Sequence, residues 1–137
     1  MKEGFKIVNN ISVPSDFSSI STVESLIDKT CVDLDVNEDA YGNVLIAVTE
    51  AVNNAIQHGN QLDKSLSVSI FVGDSSNEFC VNVKDEGSGF DFTNLPDPTS
   101  PDNIEKENGR GIFLMRSLAD EVEFDDLGRS VNIYFSK

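Results

Sequence analysis

The chain has 137 residues, 39% of them hydrophobic and 25% charged, a size and mix that suit one globular domain, 1–137, with a real core. Its formal charge of −14 opposes binding to DNA or RNA, which rests on Lys and Arg neutralising the phosphates. No window approaches the ~20 apolar residues of a membrane span and Met1 to Asn10 carries no cleavage pattern, so a cytoplasmic protein with neither a nucleic-acid nor a membrane partner is expected. Phe5, Ile7, Ile11 and Val13 keep a period of two and predict a first strand that Pro14 ends. Ser15 or Asp16 then caps a helix whose apolar positions Phe17, Ile20, Val23, Leu26 and Ile27 run at helical spacing to about Asp33. Cys31 in that helix and Cys80 further on lack metal-ligand spacing and read as ordinary reduced residues.

The most informative stretch is Asn37 to Gly59. Tyr41, Val44, Leu45, Val48, Ala51, Val52, Ala55 and Ile56 fall on one face of an amphipathic helix, with Asn37 as N-cap and Gly59 as the residue just past the end. Glu50, Asn53, Asn54, Gln57 and His58 gather on the opposite side. A solvated helix face normally carries Lys and Arg, and this stretch has neither. Short amides beside one carboxylate suit a ligand or a metal ion instead.

Leu66 to Val72 and Phe79 to Val83 alternate around the turn at Gly73 to Asn77, which predicts a hairpin. The phase of its second strand turns Asp85 toward the core, where a carboxylate needs a partner. Gly87 and Gly89 follow at once and remove side chains that would block a ligand. Asp91 to Asn108, rich in Pro, Asp, Asn, Ser and Thr, reads as a mobile lid. Gly109-Arg110-Gly111 opens an apolar stretch, Ile112 to Leu118, expected to be a helix whose start offers free N–H groups to an anion. Val122 to Asp126 and Arg129 to Phe135 close the chain as a strand pair around Gly128.

Three separated elements thus point one way: the stripe at Glu50 and Asn54, the strand-end Asp85 with its glycines, and the glycine pair at a helix start. In this order the segments Glu50-Ala51-Val52-Asn53-Asn54-Ala55, Asp85-Glu86-Gly87-Ser88-Gly89-Phe90 and Gly109-Arg110-Gly111-Ile112 resemble the GHKL (histidine kinase-like) ATPase superfamily. The short chain and the run from Val48 to Gly59 look like its anti-sigma-factor serine/threonine kinases. The resemblance implies an α/β two-layer sandwich, a mixed sheet with helices on one face and ATP between the layers. It implies that Asn54 supplies an amide oxygen to Mg²⁺ and that Glu50 accepts the proton of an attacking hydroxyl. Asp85 would accept a hydrogen bond from the adenine amino group, with Gly87 and Gly89 letting backbone approach the ring. Gly109, Arg110, Gly111 and Ile112 would present N–H groups to the phosphates. Expected partners are a small anti-anti-sigma antagonist protein and a sigma factor or other regulator, with a homodimer common among the look-alikes.

The resemblance leaves a second reading, an ATP-binding partner-switching module without phosphotransfer, and a third, a detached histidine-kinase catalytic domain, which the lack of a phosphoacceptor helix opposes. Two departures stand out. The hydroxyl residue expected after the last strand's glycine is replaced by Arg129, with Ser130 one place later, and Lys106-Glu107-Asn108 lacks the usual acidic-basic order before the glycine pair. His58 has no assigned role beyond the helix end.

Overall fold

Among the described residues, five strands form one sheet in the order β1-β2-β3-β5-β4, with β1 at Lys6–Pro14, β2 at Ser67–Asp74, β3 at Glu78–Lys84, β4 at Glu121–Asp125 and β5 at Ser130–Ser136. The computed structural model describes residues 1–87 and 107–137. Gly89 and almost all of the expected lid lie outside the described residues.

Among the described residues every strand pairing is antiparallel, so the sheet is not the mixed one expected. The reason lies in the last connection. Helix α3, Glu107–Leu118, returns the chain so that β4 runs in the direction of β3, but β5 folds back between them and pairs with both. The parallel pair is thereby separated.

The period-two pattern places Val68, Ile70 and Val72 of β2, Phe79, Val81 and Val83 of β3, and Val131, Ile133 and Phe135 of β5 on one buried face. Each such aliphatic side chain stabilises the fold by about 1.5–3 kcal/mol when fully buried. The rings of Phe79 and Phe135, paired across β3 and β5, stack with centroids 5.3 Å apart. Strand β1 is where the pattern fails. Val8 is an extra residue between the pairs Ile7↔Gly73 and Asn9↔Val72, and this bulge leaves Ile7, expected inside, 48% exposed.

The same buried face receives the helices. A single 3₁₀ turn, Phe17–Ser19, capped by Asp16 as it accepts from the Ser18 N–H at 3.0 Å, leads into α1, Ile20–Asp33. Helix α2, Glu38–Asn54, starts where expected: the Asn37 side chain accepts from the Asp39 N–H at 2.9 Å, and Glu38 and Asp39 complement the positive end of the helix. Val44, Val48, Ala51 and Val52 are buried as predicted, and so is Ala47, because α1 and α3 also pack on α2. Among the described residues no helix is long and apolar enough to cross a membrane.

Candidate functional site

Helix α2 does not simply stop. Its last turn widens into a π-turn, Ala55–Gly59, closed by the Asn60 N–H donating to the Ala55 carbonyl at 2.8 Å. Such single π-turns re-aim the residues that follow and concentrate at functional sites. Here the turn brings Gly59 against the end of β3. A Cβ on Gly59 would lie 2.4 Å from Oδ2 of Asp85, and one on Gly87 would lie 1.8 Å from the Gly59 carbonyl oxygen. Neither glycine has a positive φ. Both are required by close approach, and Gly59 lies within the π-turn, not just past the helix end as the sequence suggested.

Asp85 is 6% exposed, on the core-facing side that its strand phase predicted. Its N–H donates to the Arg129 carbonyl at 2.8 Å, and its Oδ1 accepts from the Gly87 N–H at 2.8 Å. Burial raises its pKa above the usual carboxylate value, while the Gly87 N–H and the positive Arg129 pull it back down. The Arg129 guanidinium is held by Asp126, with Nη2 3.1 Å from Oδ1 and Nε 3.4 Å from Oδ2, and its Nη1 points to the Gly87 carbonyl at 3.5 Å.

Asn60, 2% exposed, ties this corner to the rest of the sheet. Its Nδ2 donates to the Ser15 hydroxyl at 2.7 Å and to the Ser67 carbonyl at 3.0 Å, and its Oδ1 accepts from the Glu86 N–H at 2.8 Å. One amide therefore fixes the Asp85-Glu86-Gly87 turn to the residue that follows β1, to β2 and to the end of α2 at once. The sequence reading passed over Asn60 because an Asn after a glycine looks like a turn residue.

Between the π-turn, α3 and the sheet lies a cleft of about 480 Å³, open solvent at its mouth included. Ala51, Ala55, Val83, Ile112, Met115, Phe124 and Val131 form its apolar walls, and Asn54, His58, Asp85 and Arg129 supply side-chain polarity. Gly128, at φ +86°, makes the tight turn into β5 that a side chain would resist. The Ser130 hydroxyl accepts from Asn82 Nδ2 at 2.8 Å, and it is Arg129, not Ser130, that borders the cleft.

At the other end, α3 begins at Glu107, two residues before Gly109. Its first turn, Glu107-Asn108-Gly109-Arg110, contains no apolar residue and so leaves no apolar signal in the sequence. The N–H groups without an intrahelical partner belong to the opening turn, which includes Gly109, and Arg110 supplies its side chain there. Gly111 and Ile112 come after them. Gly111 serves packing: a Cβ there would lie 3.0 Å from Glu50 Oε2, 3.1 Å from Asn54 Nδ2 and 3.4 Å from Asn54 Oδ1. Ile112 is buried on the cleft wall. Helices α2 and α3 thus bring Glu50, Asn54 and Gly111 together at one edge of the cleft, which Asn54 itself lines.

These placements put six of the expected site residues, Glu50, Asn54, Asp85, Gly87, Gly111 and Ile112, around one cleft and its rim. The sequence profile of the Histidine kinase-like ATPase domain matches residues 13–135, nearly the whole chain. The chain belongs to this family. Among the relatives of this ATPase domain, Serine-protein kinase RsbW of Bacillus subtilis (strain 168) is 38% identical over 91 residues, covering 61% of this chain and 56% of that protein. RsbW of Bacillus cereus (strain AH820) is 33% identical over 91 residues, covering 62% and 56%. The chain therefore spans a little over half the length of the curated relatives it matches. The crystal structure of the RsbU and RsbW domains of Rv1364c from Mycobacterium tuberculosis superposes with a TM-score of 0.57 at 12% identity, covering 94% of this chain and 32% of that one, which shows the shared fold.

The ATPase domain's Asn54 also bears on a metal. Its Nδ2 is buried and has no hydrogen-bond partner, and a half-turn of the amide exchanges nitrogen for oxygen there. Among the described residues no three His, Cys, Asp or Glu stand close enough to cage an ion. A cation that keeps its waters and takes most other ligands from phosphates, as Mg²⁺ does, fits a site with one amide beside one carboxylate.

Proposed function

We propose that this ATPase domain is an ATP- and Mg²⁺-dependent protein kinase of the cytoplasm that phosphorylates a serine or threonine of a small antagonist protein and binds a sigma factor or similar regulator in alternation. The observation that carries the reading is the pairing of two ends of one cleft: Asp85 set by Gly59 and Gly87 at one, and Glu50 with Asn54 against Gly111 at the other. The relatives named serine-protein kinase RsbW support the same class.

In this reading the adenine enters the apolar part of the cleft and gives its amino hydrogen to the buried Asp85 carboxylate. The opening turn of α3, with the N–H of Gly109, would face the phosphate oxygens, and the Arg110 charge would add to it. Asn54 would hold Mg²⁺, which when bound neutralises phosphate charge. The substrate hydroxyl oxygen forms a bond to the γ-phosphorus as the bond to the β,γ-bridging oxygen breaks and ADP leaves. Glu50, one helical turn before Asn54, accepts the hydroxyl proton. Gly111 lets α3 approach both side chains, and a larger residue there would push them apart.

Incubating the protein with radiolabelled ATP, Mg²⁺ and candidate antagonist proteins from the same genome tests the reading. Label transferred to serine or threonine of one candidate supports it. ATP binding without transfer to any candidate would leave the partner-switching module as the function, and no ATP binding would remove both.

A further inference from the structure

Arg129 stands where the resemblance led us to expect a hydroxyl, and the ion pair with Asp126 across one tight turn accounts for only part of its geometry. Its carbonyl accepts the Asp85 N–H at 2.8 Å, while its guanidinium reaches the Gly87 carbonyl at 3.5 Å from the side of the cleft. The Asp85-Glu86-Gly87 turn is therefore bracketed at both ends by a single residue. Asp126 holds the guanidinium in that pose by two of its nitrogens and itself adopts a positive φ of 51°.

We propose that Arg129 is a positioning residue for base selection: by bracketing the turn and placing one positive charge beside Asp85, it keeps that carboxylate an ionised acceptor, which favours a 6-amino purine over a 6-oxo purine. The proposal rests on the reading that a nucleoside triphosphate occupies this cleft. The chemistry is that of a carboxyl with two faces. Ionised, it only accepts, and it pairs with the amino group of adenine; protonated, it can donate to the oxygen of hypoxanthine or guanine. Burial favours the protonated form of Asp85 and Arg129 opposes it. Among the described residues the other charged or titratable groups around it are Asp126, whose negative charge acts against Arg129, and His58, which borders the same cleft from the π-turn. Glu86, next in the chain, is turned away to accept the Ser67 N–H at 2.6 Å.

The test is the ratio of ATP to inosine triphosphate affinity, measured by calorimetry between pH 5.5 and 8 in the unsubstituted protein and in Arg129→Gln, Arg129→Lys and Asp126→Asn. We expect Arg129→Gln to lower the ratio by about threefold or more, with the loss growing toward low pH. Arg129→Lys, which keeps the charge without the fork, should restore much of the pH dependence, and Asp126→Asn should keep a near-normal ratio. A turn-stabilising role alone would lower the melting temperature of Arg129→Gln and leave its ratio and pH profile as in the unsubstituted protein; that result overturns the proposal while ATP binding stands. If the unsubstituted protein binds neither nucleotide, the proposal falls together with the reading it rests on.

Discussion

Three glycine-to-alanine substitutions separate close packing from helix propensity. Gly42, inside α2, has nothing within 4 Å of where a Cβ would sit, so Gly42→Ala should follow propensity and stabilise by about 0.5–1 kcal/mol. That is a rise of roughly 2–5 °C in melting temperature for a chain of this size. Gly59→Ala gains the same backbone term but puts its Cβ 2.4 Å from Oδ2, 2.5 Å from Cγ and 2.9 Å from Oδ1 of Asp85. The carboxylate cannot swing freely, because the Gly87 N–H holds Oδ1 and the Arg129 carbonyl holds the backbone. Overpacking costs about 1–3 kcal/mol, so the net loss should lie between about 0 and 2.5 kcal/mol. Gly87→Ala is worse. Its Cβ would meet the Gly59 main chain at 1.8 Å and 2.5 Å, both backbones would have to move, and the loss should be about 3 kcal/mol or more. Urea denaturation gives the three stabilities and calorimetry gives ATP affinity, which should be unchanged in Gly42→Ala and fall in Gly59→Ala by more than its stability loss explains. A Gly59→Ala protein that is stabilised like Gly42→Ala and binds ATP normally would refute the placement of Asp85 against the π-turn.

Asp85→Asn should bind ATP roughly tenfold or more weakly, because the Gly87 N–H fixes the amide oxygen and leaves NH₂ facing the adenine amino group. The same variant should melt higher at pH 7. Asp85 has a raised pKa in the folded protein, so its contribution to stability is present below its unfolded value of 3.8 and is lost as pH rises through the folded one; the advantage of Asn must therefore shrink as pH falls into that window, and a pH-independent difference would contradict the sign. Glu50→Gln keeps size and polarity but loses the base, so near-normal ATP·Mg²⁺ binding with phosphotransfer lowered by roughly 10²-fold is expected, whereas Asn54→Ala should lower both; wild-type transfer by Glu50→Gln would end the base assignment. Asn60→Ala strands the Ser67 carbonyl and the Glu86 N–H and should cost about 2–4 kcal/mol, a figure that a loss below about 0.5 kcal/mol in urea denaturation would contradict.

Periodicity alone carried most of the architecture. The hairpin of β2 and β3, the capped start of α2 and the inward turn of Asp85 each follow from local spacing, because side-chain direction repeats every two residues in a strand and every 3.6 in a helix. The segment around Glu50 and Asn54 was legible for the same reason, as an apolar helix whose opposite face lacked the cations of a solvated one. Spacing says nothing about which strand lies beside which. The antiparallel sheet in place of a mixed one came from β5 entering between β3 and β4, a non-local choice, and the exposure of Ile7 came from a one-residue bulge that reverses phase. The glycines show the limit most clearly. Sequence can offer turn chemistry as the reason for Gly59 and Gly87, but the reason found is that two backbones and one carboxylate, 26 residues apart in the chain from Gly59 to Asp85, occupy almost the same space. Asn60 and Arg129 belong to the same class: their roles are made by partners remote in sequence, and only the packing of α2, α3 and the sheet brought those partners within hydrogen-bond reach.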